Sequence, residues 1–449
     1  MLARSDVRRS LEQIVGPEFV IDSQSSDDVD WTGRFVGEPT FIVCPRSVDE
    51  VGAVVQWARR TGTALVPRGG NTGLVGGSIA TNGSILLSTR RLRAVGPVDR
   101  LTRQITVGAG VTLQEVHEAV APHGLRHPVD FGARGSATIG GTVATNAGGI
   151  NVVRYGMTRR RVVGIEAVLG DGSVVSHLGG LVKDNTGYDL VGLLCGSEGT
   201  LGVVTAVRLQ LVPRLPQVVT ALVSCDDVRT AVRLTADVCA RLESVDAAEL
   251  VMSEGVDLIR ASGEFAIPVP DRRVHVLIEC SDTADQSESL SSILDSFEGI
   301  DVSVAVTPAQ RANLWRIRDE QTPSINRLGV PFKFDVTVPV SELADFIERI
   351  SDSIDEVRPG SRTFVFGHVA DGNMHVNVVG GRGDDDVLTE RVLTEVVRSG
   401  GSISAEHGIG RAKREWLHLS RSSSEIDAMS AIKRALDPDG MMNPGVILP

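Results

Sequence analysis

Cysteine is sparse in this 449-residue chain. The five present (Cys44, Cys195, Cys225, Cys239 and Cys280) are scattered and include no Cys-x-x-Cys pair. That set gives no disulfide, zinc-thiolate or iron–sulfur framework and suits a reducing compartment. Basic residues are not in excess either: 45 Lys and Arg stand against 57 Asp and Glu, a net charge of −12. Nucleic acid is therefore excluded as a default partner, since phosphate binding wants a basic face. A small anion held by a local cluster of Arg and Lys is not excluded. No apolar run approaches the roughly 18 residues of a membrane span. The first residues, Met1 to Arg9, carry no apolar segment of the signal-peptide kind, so a cytoplasmic location is expected. Low-complexity tracts and internal repeats are also missing.

What is present is length enough for two or three cores and 48 glycines concentrated in the front half. Phe41–Pro45 reads as a strand, Ser47 to Glu50 as a capping box, and Val51, Val54, Val55 and Ala58 as one helical face. Ala64–Pro67 is the next strand, making a β-α-β unit that runs into a glycine loop. A second capped helix opens at Thr112, and Asp171-Gly172 marks a hairpin. Near Pro213–Pro216 the glycine density falls. Beyond it, 226–242 and 339–354 read as amphipathic helices, and 273–280 and 332–338 as strands. The expected division is 1–215 as a cofactor domain, 216–420 as an α+β domain, and 421–449 as a C-terminal segment packing back on the first.

Four stretches hold glycine where a plain core would not want it: Pro67–Ser78, Gly132–Gly149, Asp184–Leu190 and Gly196–Val204. Glycine is kept where φ is positive or backbones approach closely, and a run after a strand makes a nest of N–H donors for phosphate oxygens. The first stretch is neither a Walker A loop nor a G-x-G-x-x-G turn. Together the four suggest a large, extended, phosphate-bearing cofactor.

The back half carries a different chemistry. Gly367-His368 to His375-Val-Asn377 surrounds Asp371-Gly372, the strongest short-range hairpin signal. If those two residues are the turn centre, His368 and His375 face each other across the ladder. A carboxylate from the stretch Ser404 to Gly408 would then complete a two-His, one-carboxylate metal site with open positions.

These segments, with Arg154-Tyr155-Gly156 and Asn443-Pro444-Gly445, resemble the FAD-linked D-2-hydroxyacid dehydrogenases. These form a branch of the vanillyl-alcohol oxidase / p-cresol methylhydroxylase flavoprotein superfamily. The resemblance covers roughly residues 35–449. It implies an α+β fold: a two-subdomain FAD-binding domain of the p-cresol methylhydroxylase type, a substrate domain with an antiparallel sheet, and a tail returning to the flavin.

Residue by residue, the resemblance implies that Pro67, Arg68, Gly69, Gly70, Asn71, Thr72 and Gly73 cradle the pyrophosphate. Gly140, Gly141, Thr142, Asn146 and Gly148 line it and the flavin edge. Gly199, Gly202 and Val203 hold the adenine side, and Asn443 closes over the isoalloxazine. Asn71 stands where covalently flavinylated relatives carry His, so FAD is expected to be non-covalent. His368, His375 and Glu406 are the implied metal ligands, for Zn²⁺ first and Mn²⁺ or Fe²⁺ next. His407 is the implied base, beside the substrate. Arg318, Thr322 and Lys333 would hold a carboxylate, and Asn377 another polar group of the substrate. The implied reaction is oxidation of a D-2-hydroxy acid, D-2-hydroxyglutarate foremost and D-lactate or glycolate as alternatives. Electrons would pass to a flavoprotein or quinone-type acceptor, and a homodimer is left open. A relative of a different class, alkylglycerone-phosphate synthase, lacks the acidic residue that Glu406 supplies here.

Overall fold

The computed structural model describes residues 3–23, 28–263 and 270–448. The fold is α+β, and the chain divides into two compact units. Unit 1 comprises 1–148, 156–214 and 406–449, and unit 2 comprises 149–155 and 215–405.

Unit 1 holds two four-stranded sheets. In the first, strands Phe41–Val43 and Leu65–Arg68 both run parallel to Ile85–Ser88, which lies between them. The helix Val48–Thr61 makes the crossover and buries Val51, Val54, Val55 and Ala58, the face its spacing marks out. Its N-cap Ser47 accepts from the Glu50 N–H, but the Glu50 carboxylate reaches back to Arg46 rather than to Ser47. At Thr112 and Ser422 the reciprocal capping box is complete. The second sheet is antiparallel, in the order 104–108, 202–210, 162–169, 174–177, with the Asp171-Gly172 hairpin joining its last two strands.

The C-terminal segment is tied into the first sheet. Met442 bridges Leu65, and the Asn443 N–H donates to the Leu65 carbonyl at 2.7 Å. Lys433 Nζ donates to the carbonyls of Thr200 and Met442 at 2.7 and 2.6 Å, closing the tail as a ring of hydrogen bonds.

Unit 2 is built on a seven-stranded antiparallel sheet. Its spatial order is Asp301–Ala305, Gln217–Cys225, Val274–Asp282, Val245–Met252, Ser361–His368, Asn373–Gly380, Phe332–Thr337. The helix Val340–Val357 buries Leu343, Phe346, Ile347, Ile350 and Ile354 along one stripe. The hairpin differs from the two-residue turn expected at Asp371-Gly372. His368 pairs with Asn373, so the connection is the four residues 369–372, and His375 lies opposite Phe366. The cause is local: the Asp371 carboxylate accepts the Asn373 N–H at 3.1 Å, closing an Asx-type turn. Of the two residues only Gly372 has positive φ, whereas a type I′ turn needs it at both. A Cβ on Gly372 would meet the Val338 carbonyl at 2.0 Å, so glycine is required there for close approach as well.

Residues 149–155 interrupt the glycine-rich half, yet they belong to unit 2. Arg154 explains why. Its guanidinium donates to the buried carboxylate of Asp246 at 2.7 Å and to the Ser281 carbonyl at 2.8 Å. Removing one partner of a buried pair leaves the other charge uncompensated. Arg154→Ala is expected to lower the stability of unit 2 by about 3 kcal/mol. Urea unfolding followed through Trp315, the one tryptophan of unit 2, checks it. An unchanged midpoint would contradict the assignment.

Candidate functional site

The glycine loop of unit 1 leaves the strand Leu65–Arg68 at its C-terminal end. Gly70 is glycine by necessity, because a Cβ there would sit 2.0 Å from the Ser136 carbonyl. Asn71 has φ of 58°, held by its Nδ2 on the Val29 carbonyl (2.9 Å) and by Ser78 Oγ on its Oδ1 (2.9 Å). Among the described residues, the backbone N–H groups of residues 69–73 take no protein acceptor. That is the donor array expected of an anion cradle.

Arg68 is engaged differently. Its guanidinium is paired with the fully buried Asp28, whose carboxyl is raised by burial against the pull of Arg68. It braces the loop from behind. Gly140 and Gly141 also have their N–H groups taken, by the Ala109 carbonyl (2.8 Å) and Thr138 Oγ1 (3.4 Å). Thr142 Oγ1 donates to the Ile139 carbonyl. Asn146 accepts the Arg159 N–H at 2.8 Å, and Val203 is a core residue of the second sheet. These side chains shape the frame of the unit. Gly148 and Gly199 are buried in the same unit, and Gly202 begins the strand 202–210.

Asn443 is only 1% exposed. Its Nδ2 bridges the carbonyls of Gly77 and Glu198 at 2.8 and 2.7 Å, while its buried Oδ1 has no hydrogen-bond partner among the described residues. A buried acceptor without a donor is costly, and an N–H of a bound flavin would satisfy it. The N–H array at 69–73 and this orphaned oxygen together fit FAD. Beside them, the Glu198 carboxylate accepts from the N–H groups of Ile409 and Gly410, both at 2.8 Å. Burial pushes Glu198 up to about 7 despite those bonds.

In unit 2 the pleat gathers the remaining candidates. Lys333 lies opposite Asn377, Asp335 opposite His375, His375 opposite Phe366, and His368 opposite Glu249. Directly opposed residues share a face, so these side chains line one side of four neighbouring strands. His368 and His375 are diagonal neighbours, their ring centroids 5.5 Å apart. His375 Nδ1 lies 3.5 Å from Asp335 Oδ1. His368 Nδ1 is bonded to Glu249 Oε1 at 2.5 Å, and Arg318 Nε to Glu249 Oε2 at 2.7 Å. Burial raises the Glu249 carboxyl, but those two partners outweigh it and hold it at about 2.

Arg318 also lies over the Phe366 ring, 4.7 Å from its centroid. Helix Pro308–Asp319 ends just after Arg318, and Thr322 sits in the following short helix, Gln321–Asn326. The Lys333 ammonium has no ion pair or hydrogen bond among the described residues, and burial lowers its pKa.

Glu406 and His407 open the C-terminal part of unit 1, His407 Nε2 lying 3.6 Å from Glu406 Oε1. Glu249, Asp335 and Glu198 are the residues sequence reasoning passed over. His127 and His275, outside the implied site, are buried and neutral, pushed by desolvation to about 3 and about 4.

Comparison with known proteins matches residues 39–177 to the FAD binding domain family and residues 214–447 to the family of FAD linked oxidases, C-terminal domain. D-2-hydroxyglutarate dehydrogenase of Xanthomonas citri pv. viticola is 38% identical over 93% of this chain and 90% of its own. The enzyme of that name from Stutzerimonas stutzeri is 34% identical over 97% of both chains. The mitochondrial one from Bos taurus is 34% identical over 98% of this chain and 83% of its own. Among solved structures, alkyldihydroxyacetonephosphate synthase (TM-score 0.77, 16% identity) covers 99% of this chain and 85% of its own. p-Cresol methylhydroxylase (TM-score 0.76, 16% identity) covers 98% and 96%. At such identities these two establish the fold alone.

Glu198 generates a pH-dependent prediction. Its folded pKa of about 7 lies above the ordinary 4.5, so the folded state binds more protons between those values. Its contribution is intact below pH 4.5 and is lost as pH rises through 7. Relative to wild type, Glu198→Gln should therefore gain about 3 kcal/mol between pH 4.5 and 7.5 in urea unfolding. A pH-independent difference would contradict the burial argument.

Proposed function

Because the chain belongs to the FAD-linked oxidases, within their D-2-hydroxyglutarate dehydrogenase group, we propose that it oxidises D-2-hydroxyglutarate to the 2-oxo acid. Electrons then leave to a flavoprotein or quinone-type acceptor. The observation that carries the substrate is Lys333, a desolvated cation on the same sheet face as His375 and Asn377. A half-buried cation without a counter-ion is disfavoured by its lost hydration, and a substrate carboxylate would offset that. The terminal nitrogens of Arg318 offer a second anchor, and the Asn377 amide a neutral one. A dicarboxylate uses both cations.

Non-covalent FAD in the cradle of unit 1 would supply N5 as hydride acceptor. Asn71 offers no nucleophile for a flavin link. A divalent metal, Zn²⁺ by preference, would act as Lewis acid and lower the pKa of the substrate hydroxyl. What supports a metal within unit 2 is the pair His375 and Asp335, Nδ1 and Oδ1 3.5 Å apart. Chain connectivity bears on it too: the Ala405 N–H donates to the Asp335 carbonyl at 3.3 Å, and Glu406 is the next residue. The ligand set read from sequence is His368, His375 and Glu406, with His407 as base. With Nδ1 held by Glu249, His368 has Nε2 as its ligating atom, the arrangement of a carboxylate–histidine–metal relay. In this reading His407 takes the hydroxyl proton as a neutral imidazole, and Arg318, Lys333 and Asn377 orient the acid.

Under anaerobic conditions D-2-hydroxyglutarate should bleach the flavin, and acid precipitation should release all of it from the protein. Metal-stripped enzyme, or His375→Ala, should keep the flavin spectrum and lose reduction. His407→Ala should slow reduction by about 10²-fold or more and leave reoxidation by a dye unchanged. Undiminished reduction in metal-free enzyme would contradict the metal's role. Equal loss in both half-reactions would contradict the role of His407 as base.

A further inference from the structure

We propose that Glu249 is a positioning residue that couples the metal site to the substrate-carboxylate site, by fixing the tautomer of His368 and the orientation of Arg318 with one carboxylate. The inference rests on the functional reading above and goes beyond it. No feature of the local sequence Asp246-Ala-Ala-Glu249-Leu marks this glutamate as functional. It comes from the fold: the strand Val245–Met252 pairs with Ser361–His368 so that Glu249 and His368 are directly opposed, 119 residues apart in the chain.

The side chain is fully buried, and each oxygen has its own partner: Oε1 the imidazole Nδ1, Oε2 the guanidinium Nε. A carboxylate only accepts hydrogen bonds. His368 must therefore carry a proton on Nδ1, which leaves the Nε2 lone pair as its one ligating position. Arg318 is restrained in the same way. With Nε on Glu249 and its plane over Phe366, its terminal N–H groups are aimed by two contacts rather than one. Histidine tautomer and arginine direction thus depend on a single buried charge.

A glutamine in its place cannot serve both partners. Its carbonyl accepts from one, and its NH₂ confronts the other donor or donates to Nδ1, moving the ring proton to Nε2. A glutamate serving only the core would lose stability on substitution and leave both binding functions untouched. The two roles therefore separate in measurement.

The test uses the FAD-loaded full chain with two probes, zinc alone under competition from graded chelators, and 2-oxoglutarate. The expected result for Glu249→Gln is zinc retention weakened by about 10- to 100-fold and 2-oxoglutarate binding weakened as well, with FAD content unchanged. Arg318→Ala should lose 2-oxoglutarate affinity and keep its zinc. If Glu249→Gln folds and both affinities match wild type, the proposal is overturned. If it does not fold, ¹⁵N-histidine spectra of the zinc-loaded wild type decide, compared with His368→Gln for assignment. A proton on Nδ1 of His368 supports the proposal and a proton on Nε2 overturns it. Wild-type protein that takes up no zinc would overturn the metal reading itself, a separate and recognisable result.

Discussion

The period of two along an antiparallel strand is the constraint on which the site depends. Four strands, 245–252, 361–368, 373–380 and 332–337, lie side by side in a fixed register. That register alone puts Glu249, His368, His375, Asp335, Lys333 and Asn377 on one face. A slip of one residue in any pairing would send that strand's polar side chains to the opposite side. The packing of Gly372 against Val338 and the Asx-type closure at Asp371 pin the hairpin against such a slip. Structure at the turn and chemistry at the face are therefore one requirement.

The polar groups on that face fall into two energetic classes. Glu249, with His368 and Arg318, is internally satisfied: a buried anion between two donors, stable without any ligand. Lys333 is the opposite case, a desolvated cation with no counter-charge among the described residues. The satisfied cluster gives a rigid support, and the unsatisfied cation gives a reason to bind an anion. Unit 1 repeats the pattern. Arg68 and Asp28 brace the loop from behind, while the N–H groups of residues 69–73 and the Asn443 Oδ1 are left for a ligand.

Local features were the readable ones. The helical face at Val51 to Ala58, the capped helix at Thr112, the glycine loop and the strands around His368 and His375 all follow from spacings of a few residues. The parts that escaped depend on contacts distant in sequence. Glu249 reaches His368 across 119 residues, Glu198 reaches Ile409 across 211, and Arg154 leaves a glycine-rich stretch to join Asp246. No local signal specifies such pairings, because strand order and register are set by the whole core. The two-residue turn failed for a related reason: Asp-Gly allows several turns, and the Asp371 side chain selected the longer one. Gly140 and Gly141 have their N–H groups bonded within the protein, since glycine also marks close approach of one backbone to another.

The central claim is that Lys333, on the sheet face, and the terminal nitrogens of Arg318, left over from its bond to Glu249, serve a substrate with two carboxylates. The direct measurement is kcat/KM for D-2-hydroxyglutarate and for D-lactate with the same dye acceptor, in wild type and in Lys333→Ala. The account predicts a preference for the dicarboxylate of at least tenfold, about 1.4 kcal/mol of transition-state binding, that shrinks in the variant. A tenfold preference for D-lactate, or a dicarboxylate preference indifferent to Lys333, would contradict it.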